Sequence, residues 1–256
     1  MNSIMLSADQ FGIVYNVLSF GLVSMLACTI YTLVSQSRVL PKYRTAIVMS
    51  SMVTFIAAYH YWRIFNSFDD SYAGGAVKVG TGKGDFNEAY RYVDWILTVP
   101  LLLVEVVAVL ALAKAPASSL ITRLVPASAA MIALGYPGEI STDNNTKVLW
   151  GVLSTIPFLY ILYVLFVELS KSLDRQPAGV AATIGRLRLL LIATWGVYPI
   201  SYLLPILGQS ATDPGAFVNR QIGYTIADVL AKCVFGLTIL KIARMKSVAE
   251  GMKEDH

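Results

Sequence analysis

The sequence predicts an all-α membrane protein, a bundle of seven transmembrane helices with its N-terminus outside and its C-terminus in the cytoplasm. Three observations carry this. The 256 residues are 56% hydrophobic and only 14% charged, with mean hydropathy +0.62, whereas a soluble domain carries about 25% charged residues. Seven apolar segments, each bounded by polar residues, glycine or proline, lie near 10–34, 45–66, 89–112, 119–136, 146–170, 186–208 and 220–243. Each is near the ~20 residues that a helix needs to cross a bilayer. The basic residues divide unevenly between alternate connections.

That division sets orientation. With the N-terminus outside, Arg38, Lys42, Arg44, Lys114, Arg123, Lys171, Arg175, Arg186, Arg188, Lys241, Arg244, Lys246 and Lys253 fall on the cytoplasmic side. Only Lys78, Lys83, Lys147 and Arg220 fall outside. Cytoplasmic loops are the basic ones. The net charge of +4 is therefore a matter of topology, and no nucleic-acid partner is expected. A spanning β-barrel would show short alternating segments, and none are present. With no internal repeat, one seven-helix domain fills residues 1–256. The start, MNSIMLSADQ, lacks the basic region and apolar run of a cleaved signal peptide.

The first segment holds Cys28 and the seventh Cys233, the two cysteines of the chain. They suggest no disulfide framework or metal site and read as small core residues. The second segment contains FIAAYHYW, with His60 and, one turn on, Arg63. A lone membrane histidine is often a satisfied packing group, and Arg63 carries no assigned role. The connection 68–86 is glycine-rich and compatible with a short hairpin.

The third segment is the informative one: RYVDWILTVPLLLVE, from Arg91 to Glu105. Charged groups at mid-bilayer cost roughly 2.5–3.5 kcal/mol each on insertion scales and mark function by default. Asp94 and Glu105 are eleven residues apart, about three turns and about 16 Å of rise, so they share a helix face with Thr98 between them. Such a ladder suits proton transfer, while two unrelated packing carboxylates would be the plain alternative. Glu105, among Leu101, Leu102, Val104 and Val106, reads as a proton store.

The seventh segment, GYTIADVLAKCVFGLTIL, puts Lys232 at mid-span. An amine there cannot easily snorkel to the interface; it pairs, loses its proton or is chemically modified. Asp228 lies four residues earlier on the same face. The pair fits either a structural ion pair or a lysine joined to an aldehyde, with Asp228 and a third-helix carboxylate as counter-ions.

Taken together, RYVDWILTVPLLLVE, ADVLAKCVFG and WGVYPISYLLP (Trp195 to Pro205) resemble the microbial rhodopsins over essentially the whole chain, within them the proteorhodopsin and xanthorhodopsin branch. The resemblance implies all-trans retinal on Lys232 as a protonated Schiff base. It implies Asp94 as primary counter-ion and proton acceptor, Asp228 as second counter-ion, Arg91 beyond them toward the outside, and Glu105 as proton donor. Trp95, Trp195, Tyr198 and Pro199 would wall the polyene, with Leu102 at a position tied to green absorption. His60 resembles the histidine that hydrogen-bonds the acceptor and tunes its proton affinity. Gly151, on the fifth helix, resembles the glycine whose missing side chain admits a carotenoid antenna, although close helix packing would also account for it. The paired outer glutamates of the archaeal pumps have no counterpart in GQSATDPGAFVNR.

The activity so implied is light-driven outward proton transport across a bacterial plasma membrane by a multi-pass transporter rather than an enzyme, in a homo-oligomer such as a pentamer. The alternatives are a pump of another ion, sodium or chloride, and a photosensory rhodopsin. In the family, the first goes with loss of the Asp94–Thr98–Glu105 pattern and the second usually with loss of the carboxyl donor.

Overall fold

In a computed structural model of the chain, residues 2–80, 82–141, 143–173, 176–203, 206 and 213–253 are described. Arg175, Pro205 and residues 208–212 of the sixth-to-seventh connection lie outside them. The described chain forms seven spans. They are α1 (Ala8–Val34), α2 (Pro41–Ser71), α3 (Tyr90–Leu110), α4 (Lys114–Ile140), α5 (Asn144–Leu173), a sixth built of α6 (Ala178–Trp195) and α7 (Val197–Leu203), and a seventh built of α8 (Pro214–Asp228) and α9 (Phe235–Ala249). A π-helical segment, Val229–Val234, joins α8 to α9 and contains Lys232.

Most helices outrun their apolar stretches. The second apolar segment, 45–66, sits inside a helix covering 41–71, and the sixth span begins at Ala178 rather than near 186. Hydropathy marks only the part of a helix that faces lipid or core, whereas the backbone hydrogen bonds run on into polar ends. Five helical stretches are long and apolar enough to cross a membrane by composition alone. The second and seventh spans are not among them. α2 carries serine and threonine hydroxyls, His60 and Arg63, and the seventh span is divided by its π-helical turn.

Hydroxyls join the spans where lipid provides no hydrophobic drive. Thr29 Oγ1 donates to Thr54 Oγ1 and Thr32 Oγ1 pairs with Ser51 Oγ, both at 2.8 Å, between α1 and α2. Bonds of this kind average roughly 0.6 kcal/mol in a membrane bundle.

One end of the bundle carries a small sheet and the other the C-terminal tail. The glycine-rich connection does form a hairpin, β2 (Tyr72–Ala73) against β3 (Ala76–Val79). Its two-residue loop, Gly74–Gly75, has φ of +60° and +83°, the region that side chains rarely enter and tight hairpins require. The sequence reading missed β1 (Asn2–Met5), which pairs with the other edge of β3; four residues before the first helix carry little strand signal. At the tail end, Lys246 Nζ donates to the carbonyls of Val109 (3.1 Å) and Leu110 (2.9 Å). A cation there satisfies the open C-terminus of α3 and fixes the helix that bears Asp94 and Glu105.

Candidate functional site

The polar residues of α3 and the seventh span form two facing stripes. Arg91, Asp94, Thr98, Leu102 and Glu105 follow three- and four-residue steps on α3, and all are buried. Gln221, Thr225, Asp228 and Lys232 do the same on the seventh span. The stripes meet at Lys232, whose side chain is 2% exposed. Its Nζ lies 3.0 Å from Asp94 Oδ2 and donates to Asp228 Oδ1 at very close range.

Asp228 is the more fully bound carboxylate. Tyr198 donates to its Oδ1 and Tyr61 to its Oδ2, each at 2.8 Å, and Arg91 Nη1 stands 3.7 Å from Oδ2. Asp94 Oδ1 has no hydrogen-bond partner among the described residues. Two cations, Lys232 and Arg91, thus face two anions, and the cluster closes to zero net charge. Low-dielectric burial demands that balance.

His60 is near Asp94 but makes no hydrogen bond to it. Its Nδ1 is 3.9 Å from Asp94 Oδ1 and 2.9 Å from the carbonyl of Ile56, so the hydrogen bond goes to its own helix. Thr98 likewise donates to the main-chain carbonyl of Asp94 at 2.9 Å, not to its carboxylate. The half-buried Arg63 packs 4.3 Å over the Tyr90 ring.

Lys232 also lines a cavity of about 260 Å³, together with Trp95, Leu102, Trp195, Tyr198 and Pro199. Trp95 meets Tyr198 edge-on at 4.9 Å and Tyr224 at 5.7 Å, which fixes the wall. The cavity continues to Gly151, Val148 and Val152 on α5, and the two valines are exposed on the outer surface of the bundle. Gly151 has a packing role as well, since a Cβ there would stand 2.8 Å from the Tyr202 ring.

Glu105 sits apart from the cluster, toward the tail. It is fully buried, and Ser50 Oγ donates to its Oε1 at 2.8 Å. Its Oε2 has no hydrogen-bond partner among the described residues. Cys28 and Cys233 are buried free thiols between α1 and the seventh span.

The sequence reading missed several of these residues. Gln221, seven residues before Asp228, was legible from spacing alone. Ser50 was legible as a hydroxyl in an apolar run. Tyr61 gave no such signal, because its role depends on a contact between helices.

A bacteriorhodopsin-like protein profile matches residues 14–245. The chain is a microbial rhodopsin of that family. It is 32% identical over 238 residues to a green-light absorbing proteorhodopsin of Gamma-proteobacterium EBAC31A08, covering 91% of this chain and 88% of the relative. Among solved structures it superposes on xanthorhodopsin, described as a light-driven ion pump with dual chromophore, with a TM-score of 0.90 and 45% identity, covering 97% of this chain and 99% of that one. A thermophilic rhodopsin gives a TM-score of 0.90 at 42% identity, with the same coverage. The chain is thus a multi-pass membrane protein of a family usually found in the bacterial plasma membrane.

Proposed function

We propose that this rhodopsin is a light-driven outward proton pump whose all-trans retinal is carried on Lys232. One observation carries the proposal. The Lys232 amine lies between Asp94 and Asp228, and α3 presents a second buried carboxyl, Glu105, about three turns away. The residues fit the chromophore: an aromatic-walled cavity opens on a buried amine with two carboxylates to balance its charge. Retinal bound there supplies light absorption and an isomerisation that re-aims the proton on the Lys232 nitrogen.

The chain's residues perform the rest. Asp94, with one oxygen at 3.0 Å from Nζ and the other unpartnered, accepts that proton. Asp228 is held by two tyrosine hydroxyls, so it stays anionic and keeps the site neutral. Arg91 lies on the sheet side and favours release in that direction. Glu105, uncharged in its apolar setting, returns a proton to the Lys232 nitrogen and is refilled from the tail side. The basic residues concentrated on the tail side put that side in the cytoplasm. Moving one charge against 100 mV costs about 2.3 kcal/mol, which the photon supplies.

The retained Asp94–Thr98–Glu105 pattern weighs against sodium or chloride transport, and Glu105 weighs against a sensor. A carotenoid antenna is a further part of this proposal, supported by the cavity's continuation past Gly151 to exposed Val148 and Val152. Gly151→Trp should abolish carotenoid-to-retinal energy transfer.

The deciding experiment illuminates cells expressing the protein in unbuffered salt and records external pH. Acidification abolished by a protonophore is expected. Alkalinisation enhanced by the protonophore points to another ion, and no pH response points to a sensor.

A further inference from the structure

At the sheet end a side-chain bridge joins the Lys232 cluster to a second ion pair. Arg91 Nη2 donates to Gln221 Oε1 at 2.7 Å, and Gln221 Nε2 donates to Glu88 Oε1 at 2.7 Å. Arg220 Nη2 donates to both oxygens of Glu88, at 3.3 and 3.2 Å. A guanidinium only donates and an ionised carboxylate only accepts, so the amide of Gln221 has one permitted orientation. Gln221 is fully buried.

Arg91 is therefore hung between two anions. On one side it makes a short hydrogen bond toward Glu88. On the other, its Nη1 stops 3.7 Å from Asp228 Oδ2 and has no hydrogen-bond partner among the described residues, a separation too long for a direct bond.

We propose that Glu88 is a positioning residue for Arg91, acting through Gln221, and that this bridge sets how readily the Asp94–Asp228 pair takes up a proton. The proposal rests on the counter-ion assignment above. Glu88 interacts electrostatically with Arg91 on α3, Glu139 on α4, and Arg220 and Tyr224 on α8. Arg220 balances its charge directly, so its influence on the cluster runs mainly through the bridge. Cutting the bridge frees Arg91 to close on Asp228. The added positive potential favours the ionised carboxylates, and stronger acid is then needed to protonate them.

The test uses the full chain reconstituted with all-trans retinal and titrated with acid while its visible spectrum is recorded. The colour change belonging to Asp94 is identified by its loss in Asp94→Asn. Glu88→Gln and Gln221→Met should each lower the midpoint of that change by about half a pH unit or more, and the double variant should go no lower than either single one. Additive shifts would mean that Glu88 acts through space and would overturn the bridge alone, as would unmoved midpoints. A colour change that survives Asp94→Asn overturns the counter-ion assignment, and the bridge proposal with it. Should Gln221→Met form no pigment, Gln221→Asn, which keeps the amide but shortens its reach, takes its place in the double-variant comparison.

Discussion

The two halves of the bundle treat buried carboxyls in opposite ways. On the sheet side of Lys232, buried acids are joined in a network: Asp94 and Asp228 share two cations, and Glu88 is tied to Arg220 and through Gln221 to Arg91. On the tail side, Glu105 has a single hydroxyl partner and an unpartnered oxygen, with no cation among its described contacts. A connected network lets charge redistribute at little cost, whereas an isolated carboxyl in apolar surroundings holds its proton until a vacancy forms nearby. Under the proposed mechanism, this difference is what would give transport a direction: a polar exit on one side and an insulated donor on the other.

The largest effect should come from removing the point where the halves meet. Lys232→Ala should give no visible pigment when all-trans retinal is added to the purified chain. Retained colour would remove the attachment site from the scheme and leave the ion cluster a structural device.

The insulated half is tested next. Glu105→Gln should slow the recovery of the ground state on the order of a hundredfold, the scale of losing one positioned acid, while leaving the first proton transfer nearly unchanged. Ser50→Ala should slow recovery less, by a few-fold, since it deletes one hydrogen bond worth about 1 kcal/mol that stabilises the carboxylate left after the proton departs. Flash photolysis at a series of pH values reads both. If both variants recover at the parent rate, Glu105 is not the donor and the contrast between the halves has no kinetic meaning.

How far the sequence carried the picture follows the same division. The α3 ladder was readable because Asp94, Thr98 and Glu105 repeat on one helix face, and Lys232 because a mid-span lysine has few uses. Spacing within one helix does not show which atom a side chain reaches. Thr98 looked like a step between the two carboxyls but donates to a backbone carbonyl, and His60 donates to its own helix while standing 3.9 Å from Asp94. The Glu88 and Arg220 pair was illegible because it joins residues 132 apart, one just before α3 and the other in α8. The small sheet was half legible: the Gly74–Gly75 turn announces the hairpin, but nothing in Asn2–Met5 announces its partner.

The smallest effect should come from the loop between β3 and α3, outside the Lys232 cluster. Asp85 pairs with Lys78 at 2.8 Å and accepts from the Gly82 amide at 3.0 Å. The Lys78 ammonium, with help from that amide, holds its carboxyl below the usual carboxylate range. A carboxyl so depressed in the folded chain adds stability that is complete above its unfolded value, near 4, and is lost as pH falls through the folded value. Asp85→Asn should therefore bleach at a slightly lower temperature than the parent at neutral pH, and the gap should close in acid. Thermal loss of visible absorbance at both pH values reads it. A gap that persists in acid would mean that the loop is held by hydrogen bonding alone. A gap as large as that of a variant in the Lys232 cluster would mean that the sheet braces the polar exit rather than merely covering it.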